Sequence, residues 1–174
     1  MSEYRMTGVL ERAADDHERV LSLFIRLLEV GDPMLRRQLV ASVVRELERH
    51  TDAEHATLYA ALRDQPGAGD LLADAAAEHE EIAEALADLV ETPTDDPTWG
   101  ELLAALRAAV EQHIETEEGE IFPIAEELLG SDRLIELGDA FARYGQRTAG
   151  SAAFTGQSYT LPLLPRIGVT FLRL

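Results

Sequence analysis

Proline and glycine cluster at Gly31-Asp32-Pro33, Gln65-Pro66-Gly67-Ala68-Gly69, Thr92-Pro93-Thr94-Asp95-Asp96-Pro97 and Gly130. The stretches between these points are dense in Ala, Leu, Glu and Arg, with apolar residues three and four apart, the pattern of amphipathic helices. The pattern predicts helices from about Thr7 to Val30, Pro33 to Arg63, Asp70 to Glu91 and Pro97 to Leu129. A short fifth helix is expected after an N-cap at Ser131, ending near Tyr144, and Pro33 suits a first helical turn. Short connections between long helices make neighbours antiparallel. The expected fold class is therefore all-α: an up-down-up-down four-helix bundle with a short fifth helix and an irregular C-terminal tail.

Charge divides the chain at a matching place. All 33 acidic residues precede Gln146, and the 29 residues that follow Gly145 hold Arg147, Arg166 and Arg173 with no acid. The domains expected are a bundle over residues 1–145 and a tail over 146–174. A net charge of −18 argues against nucleic acid and anionic membranes as partners, since both call for basic surface. With no Cys there is neither a disulfide nor a thiolate site. No window approaches the ~18 continuous apolar residues of a membrane span, and a cytoplasmic location is expected.

The histidines are His17, His50, His55, His79 and His113. Leaving His55 aside, each long helix carries one. The offsets repeat, with 79 − 17 = 62 and 113 − 50 = 63, and His50, Glu54, Leu58 and Tyr59 match His113, Glu117, Ile121 and Phe122. The second helical hairpin thus echoes the first. Counted along the helices from the turns, the four imidazoles fall ~14 to 18 residues in and meet at one level near mid-bundle. Each lies on an apolar stripe. Glu54 and Glu117, at i+4 from a His, face the same way. Buried carboxylates are costly as bare charges but natural as metal ligands. The set His17, His50, Glu54, His79, His113 and Glu117 therefore points to two first-row transition ions, iron foremost. His55, rotated about 140° from His50, is assigned to the surface or to a supporting contact. Glu118 and the run Glu78, Glu80, Glu81 and Glu84 are read as solvated, and Tyr59 and Phe122 as core packing.

The segments DHERV, HTDAEHATLYAAL, AEHEEI and HIETEEGEIFPIAEELL resemble the hemerythrin-like, or HHE cation-binding, family from about Thr7 to Leu129. The resemblance implies two iron ions, oxo- or hydroxo-bridged, with zinc or manganese ranked behind iron. His17 and His50 would bind one ion, His79 and His113 the other, and Glu54 and Glu117 would bridge them. Two departures stand out. Leu58-Tyr59-Ala60 replaces the family's Leu-Tyr-Pro. Oxygen-carrying members have a second His on the third helix where this chain has Ala75 and Ala83, so both ions would keep open positions. The implied function is binding or reduction of a small oxidant, peroxide, oxygen or nitric oxide, with a catalase-like activity as one form. The alternative is an iron- or oxygen-sensing module without turnover. No catalytic residue beyond the metal ligands is assigned. The tail ends LPLLPRIGVTFLRL, and IGVTFLRL is distantly similar to the C-terminal cargo peptides of encapsulin shells. Homo-oligomer formation or protein docking through the tail is a further expectation.

Overall fold

The computed structural model describes residues 6–149, so all but the first few residues of the expected tail lie outside the described residues. The elements are α1 (Val9–Glu29), α2 (Pro33–Ala56), α3 (Leu58–Leu62), α4 (Gly69–Glu91), α5 (Trp99–Thr116), a π-helical turn (Glu117–Ile121) and α6 (Phe122–Ala149). Helices α1 and α2 form one hairpin, and α4 and α5 the other.

Local chemistry explains several of the boundaries. The Asp32 carboxylate accepts from the N–H groups of Met34 (2.7 Å) and Leu35 (3.2 Å), and Pro33 takes the first helical position of α2. Helix α5 starts at Trp99 rather than at Pro97. Asp96 holds the preceding turn by accepting from the backbone N–H (2.8 Å) and hydroxyl (2.6 Å) of Thr98.

The expected second and fourth helices are both interrupted, and at equivalent places. Thr57 leaves helical geometry (φ −124°, ψ −81°) and its hydroxyl donates to Ala53 O at 2.6 Å, so α2 stops and α3 begins after it. The long fourth helix widens into the π turn beginning at Glu117. Periodicity registers neither event, because the apolar stripe resumes on the far side.

The fifth helix is joined to the fourth within one element. Gly130 (φ 71°, ψ 163°) supplies the kink, and α6 then runs to Ala149 rather than ending near Tyr144. Beyond the kink α6 crosses the start of α1 with backbone against backbone. A Cβ on Gly138 would lie 2.6 Å from the carbonyl carbon of Gly8, and Gly8 itself has φ 63°.

Two apolar clusters fill the bundle. One joins Val9, Leu10, Leu58, Leu62, Phe122 and Phe141 near the α6 end, and the other joins Val20, Phe24, Val43, Leu86, Trp99 and Leu106. The buried polar residues Asp16, His17, His50, Glu54, His79, His113 and Glu117 occupy the level between them.

Candidate metal centre

All six residues expected to form the site come together. Helices α1, α2, α4 and α5 each project one imidazole, and Nε2 of each ring points inward. His17 Nε2 is 3.2 Å from His50 Nε2, and His79 Nε2 is 3.0 Å from His113 Nε2. The two carboxylates span these pairs. Glu54 Oε2 lies 3.2 Å from His50 Nε2 and 3.7 Å from His79 Nε2. Glu117 Oε2 lies 3.2 Å from His17 Nε2 and 3.5 Å from His113 Nε2. Each carboxylate therefore touches one ring of either pair, an arrangement able to bridge two cations.

The outward-facing Nδ1 atoms meet a ring of partners. His17 Nδ1 bonds Glu118 Oε1 at 2.8 Å, His113 Nδ1 bonds Glu78 Oε2 at 3.0 Å, and His79 Nδ1 bonds His55 Nε2 at 3.1 Å. His50 Nδ1 faces Asp16 Oδ2 at 3.6 Å, longer than a hydrogen bond. Asp16 is buried and held between Arg19 and Arg49. The three hydrogen-bonded contacts leave Nε2 free to bind a cation and fix the rotation of the His17, His79 and His113 rings.

Two sequence expectations are corrected here. Glu118 is half-exposed but bonded to His17, because the π turn rotates it towards α1. Glu78 also accepts from the Thr116 hydroxyl at 2.8 Å, which draws it off the outer face of α4. His55 is a supporting contact, as one of its expected placements had it. Asp16, unassigned from the sequence, completes the ring. The signal for these residues lay in the repeat. Asp16 and Glu78 immediately precede equivalent histidines, and His55 and Glu118 immediately follow equivalent glutamates. Tyr59 is buried as expected, but its hydroxyl also donates to Glu117 Oε1.

The electrostatics follow from crowding imidazoles and carboxylates together out of water. Burial opposes charge on His17 and His50, yet contacts to Glu117 and Glu118 for the former and to Glu54 for the latter raise both above the ordinary imidazole value. Burial and neighbouring His113 hold His79 well below it. Burial and Glu117 together push the Glu54 carboxyl up. For Glu117 burial acts in the same sense, but the close approach of His17 and the other surrounding imidazoles outweigh it and pull the value down. Both oxygens of Glu54 and Oε2 of Glu117 are buried without a hydrogen-bond donor. Four convergent imidazole nitrogens and these orphaned oxygens fit bound cations, which would satisfy them. The donor atoms of His17, His50, Glu54 and Glu117 lie within 4.8 Å of one another, as do those of Glu54, His79 and His113.

The layers on either side differ. One turn along each helix from its histidine stand Val20, Leu47, Ile82 and Val110, lining a cavity of about 10 Å³ with the four imidazoles, Thr51 and Ile114. That is room for about one water-sized molecule. On the opposite side, Glu54 and Glu117 share their level with the small buried Ala13 and Ala75.

Residues 9–125 match the Hemerythrin HHE cation binding domain. The chain belongs to this family. Among similar proteins, the uncharacterized protein Rv2633c of Mycobacterium tuberculosis is 31% identical over 121 residues, covering 69% of this chain and 73% of that one. A DNA nickase of Nostoc sp. is 26% identical over 147 residues, covering 81% of this chain, which spans 41% of the nickase's length. The crystal structure of an HHE cation-binding domain-containing protein, the Rv2633c homolog from Mycobacterium kansasii, superposes with a TM-score of 0.76 at 26% identity, covering 84% of this chain and 90% of that one. The HHE assignment, the helical bundle and the His/Glu cluster are thus consistent. Among the described residues no helix is long and apolar enough to cross a membrane.

Proposed function

We propose that this HHE protein holds two iron ions and binds or reduces a small oxidant, with peroxide the favoured substrate. The observation that carries the reading is the pairing of the imidazoles, His17 with His50 and His79 with His113, each pair touched by both Glu54 and Glu117. Iron bound there would supply electrons and open coordination positions for the oxidant. The protein's residues supply the rest. Glu78, Glu118 and His55 hold their imidazoles by the Nδ1 atoms, and Tyr59 holds the Glu117 carboxylate by its hydroxyl. Val20, Leu47, Ile82 and Val110 wall the small cavity beside the imidazoles with apolar side chains, which keeps bulk water away from the donors. Disproportionation of peroxide into water and oxygen is the simplest reaction for such a site, because it requires no outside reductant.

The nickase activity named for the Nostoc protein is not carried over, since a net charge of −18 disfavours approach to the DNA phosphates. Elemental analysis and the ultraviolet-visible spectrum of the isolated protein, followed by oxygen release on adding peroxide, test the reading. About two iron atoms per chain and peroxide-dependent oxygen release are expected. Loaded protein inert to peroxide would overturn the enzymatic reading. A metal-dependent change in protease resistance without turnover would favour the sensing module instead.

A further inference from the structure

The two hairpins repeat one another around the site with one change of charge type. Adding 62 converts Asp16 and His17 into Glu78 and His79, and adding 63 converts His50, Glu54 and His55 into His113, Glu117 and Glu118. The contacts repeat with the sequence. Asp16 faces His50 within the first hairpin as Glu78 faces His113 within the second. The other two contacts cross between hairpins: Glu118 reaches back to His17, and His55 reaches forward to His79. His17 and His113 are therefore hydrogen-bonded to a carboxylate and His50 faces one at 3.6 Å, whereas His79 is backed by another ring.

A carboxylate behind a ligating imidazole raises its basicity, and loss of such a partner costs about 10- to 100-fold in metal affinity. The inner donors are unequal in the same direction. Four mutually close residues, His17, His50, Glu54 and Glu117, form one group, and three, Glu54, His79 and His113, form the other.

We propose that His55 makes the two cation positions unequal, so that the His17/His50 position fills first and the His79/His113 position fills second and more weakly. The inference rests on the two-cation reading above. His55 is a positioning residue: with Nε2 of His79 committed to a cation, His55 Nε2 would accept the Nδ1 proton of His79 and fix that ring, but it adds no negative charge behind it. The same place in the other half holds Glu118, which does both.

The test is titration of metal-free, full-length protein with cobalt(II) alone, read by heat of binding and by the visible absorption bands of the bound ion. Wild type is expected to show two steps separated by about 10-fold or more. His55→Glu supplies the missing carboxylate and should tighten the second step by about 10-fold without moving the first. His55→Gln accepts the same hydrogen bond without charge and should retain the wild-type separation. His55→Ala should weaken the second step by about 10- to 100-fold and alter the bands of the second equivalent alone. Two equal steps in wild type, or a His55 substitution that moves the first step instead of the second, overturns the inference. Uptake of one equivalent or none by wild type overturns the two-cation reading and the inference with it. Should His55→Ala lose helical circular dichroism, the comparison of Glu with Gln at this position decides alone.

Discussion

The Tyr59 hydroxyl donates across the bundle to Oε1 of Glu117, whereas its counterpart in the second hairpin, Phe122, lies parallel to the His17 ring with centroids 6.2 Å apart. Tyr59→Phe would leave a buried, ionised acceptor with one donor fewer, a change worth about 1–3 kcal/mol. The metal-free protein should lose about that much in urea denaturation. The loaded protein should lose less, because a bound cation would take over the carboxylate. Equal losses in the two forms would show that Glu117 does not touch the metal.

Metal stabilisation should increase with pH. His17 and His50 hold protons above the ordinary imidazole value of 6.5 in the folded, metal-free chain. Their contribution to its stability is fully present below pH 6.5 and is lost as pH rises through their raised folded values. A cation requires both rings neutral and displaces those protons. The gap in Tm between loaded and metal-free protein should therefore widen as pH climbs past 6.5. Thermal scans across the neutral range measure it, and a gap that narrows over that range would contradict the assignment of these rings as ligands.

The double variant His50→Ala, His113→Ala removes one imidazole from each pair while the helices keep both apolar clusters. At free metal about 100 times its Kd, a site adds about 2.7 kcal/mol to stability. Wild type should gain at least that amount on loading and the double variant nothing measurable, as followed by denaturation with and without iron. Equal gains in both would mean that the metal sits elsewhere.

Gly138→Ala tests the contact between α6 and α1. Its Cβ would come within 2.6 Å of backbone at Gly8, where no flexible side chain can yield. A loss of about 1–3 kcal/mol is expected, the usual range for overpacking. Metal stoichiometry should be unchanged, since neither glycine supplies a ligand. Urea denaturation and elemental analysis report the two quantities separately.

The bundle and the inner donors were legible because both follow from periodicity. One His per helix, the i+4 glutamates and the offsets of 62 and 63 are properties of a one-dimensional pattern. The outer contacts were not legible in the same way. Glu78 and Glu118 belong to acidic runs, and composition alone favours solvent for them. Their true partners lie on other helices, at separations of 35 and 101 residues. The helix interruptions leave no mark on the periodicity, because the hydroxyl of Thr57 and the widened turn at Glu117 change backbone geometry without interrupting the apolar stripe.

Each hairpin delivers two imidazoles and one carboxylate, so a pair of identical short chains would furnish the same inner set. Such a pair would be bound by its own symmetry, and whatever stood behind one cation would stand behind the other. Joining the halves in one polypeptide removes that restriction. It lets position 55 be His while position 118 is Glu, and would give two neighbouring ions surroundings that no assembly of identical hairpins could distinguish.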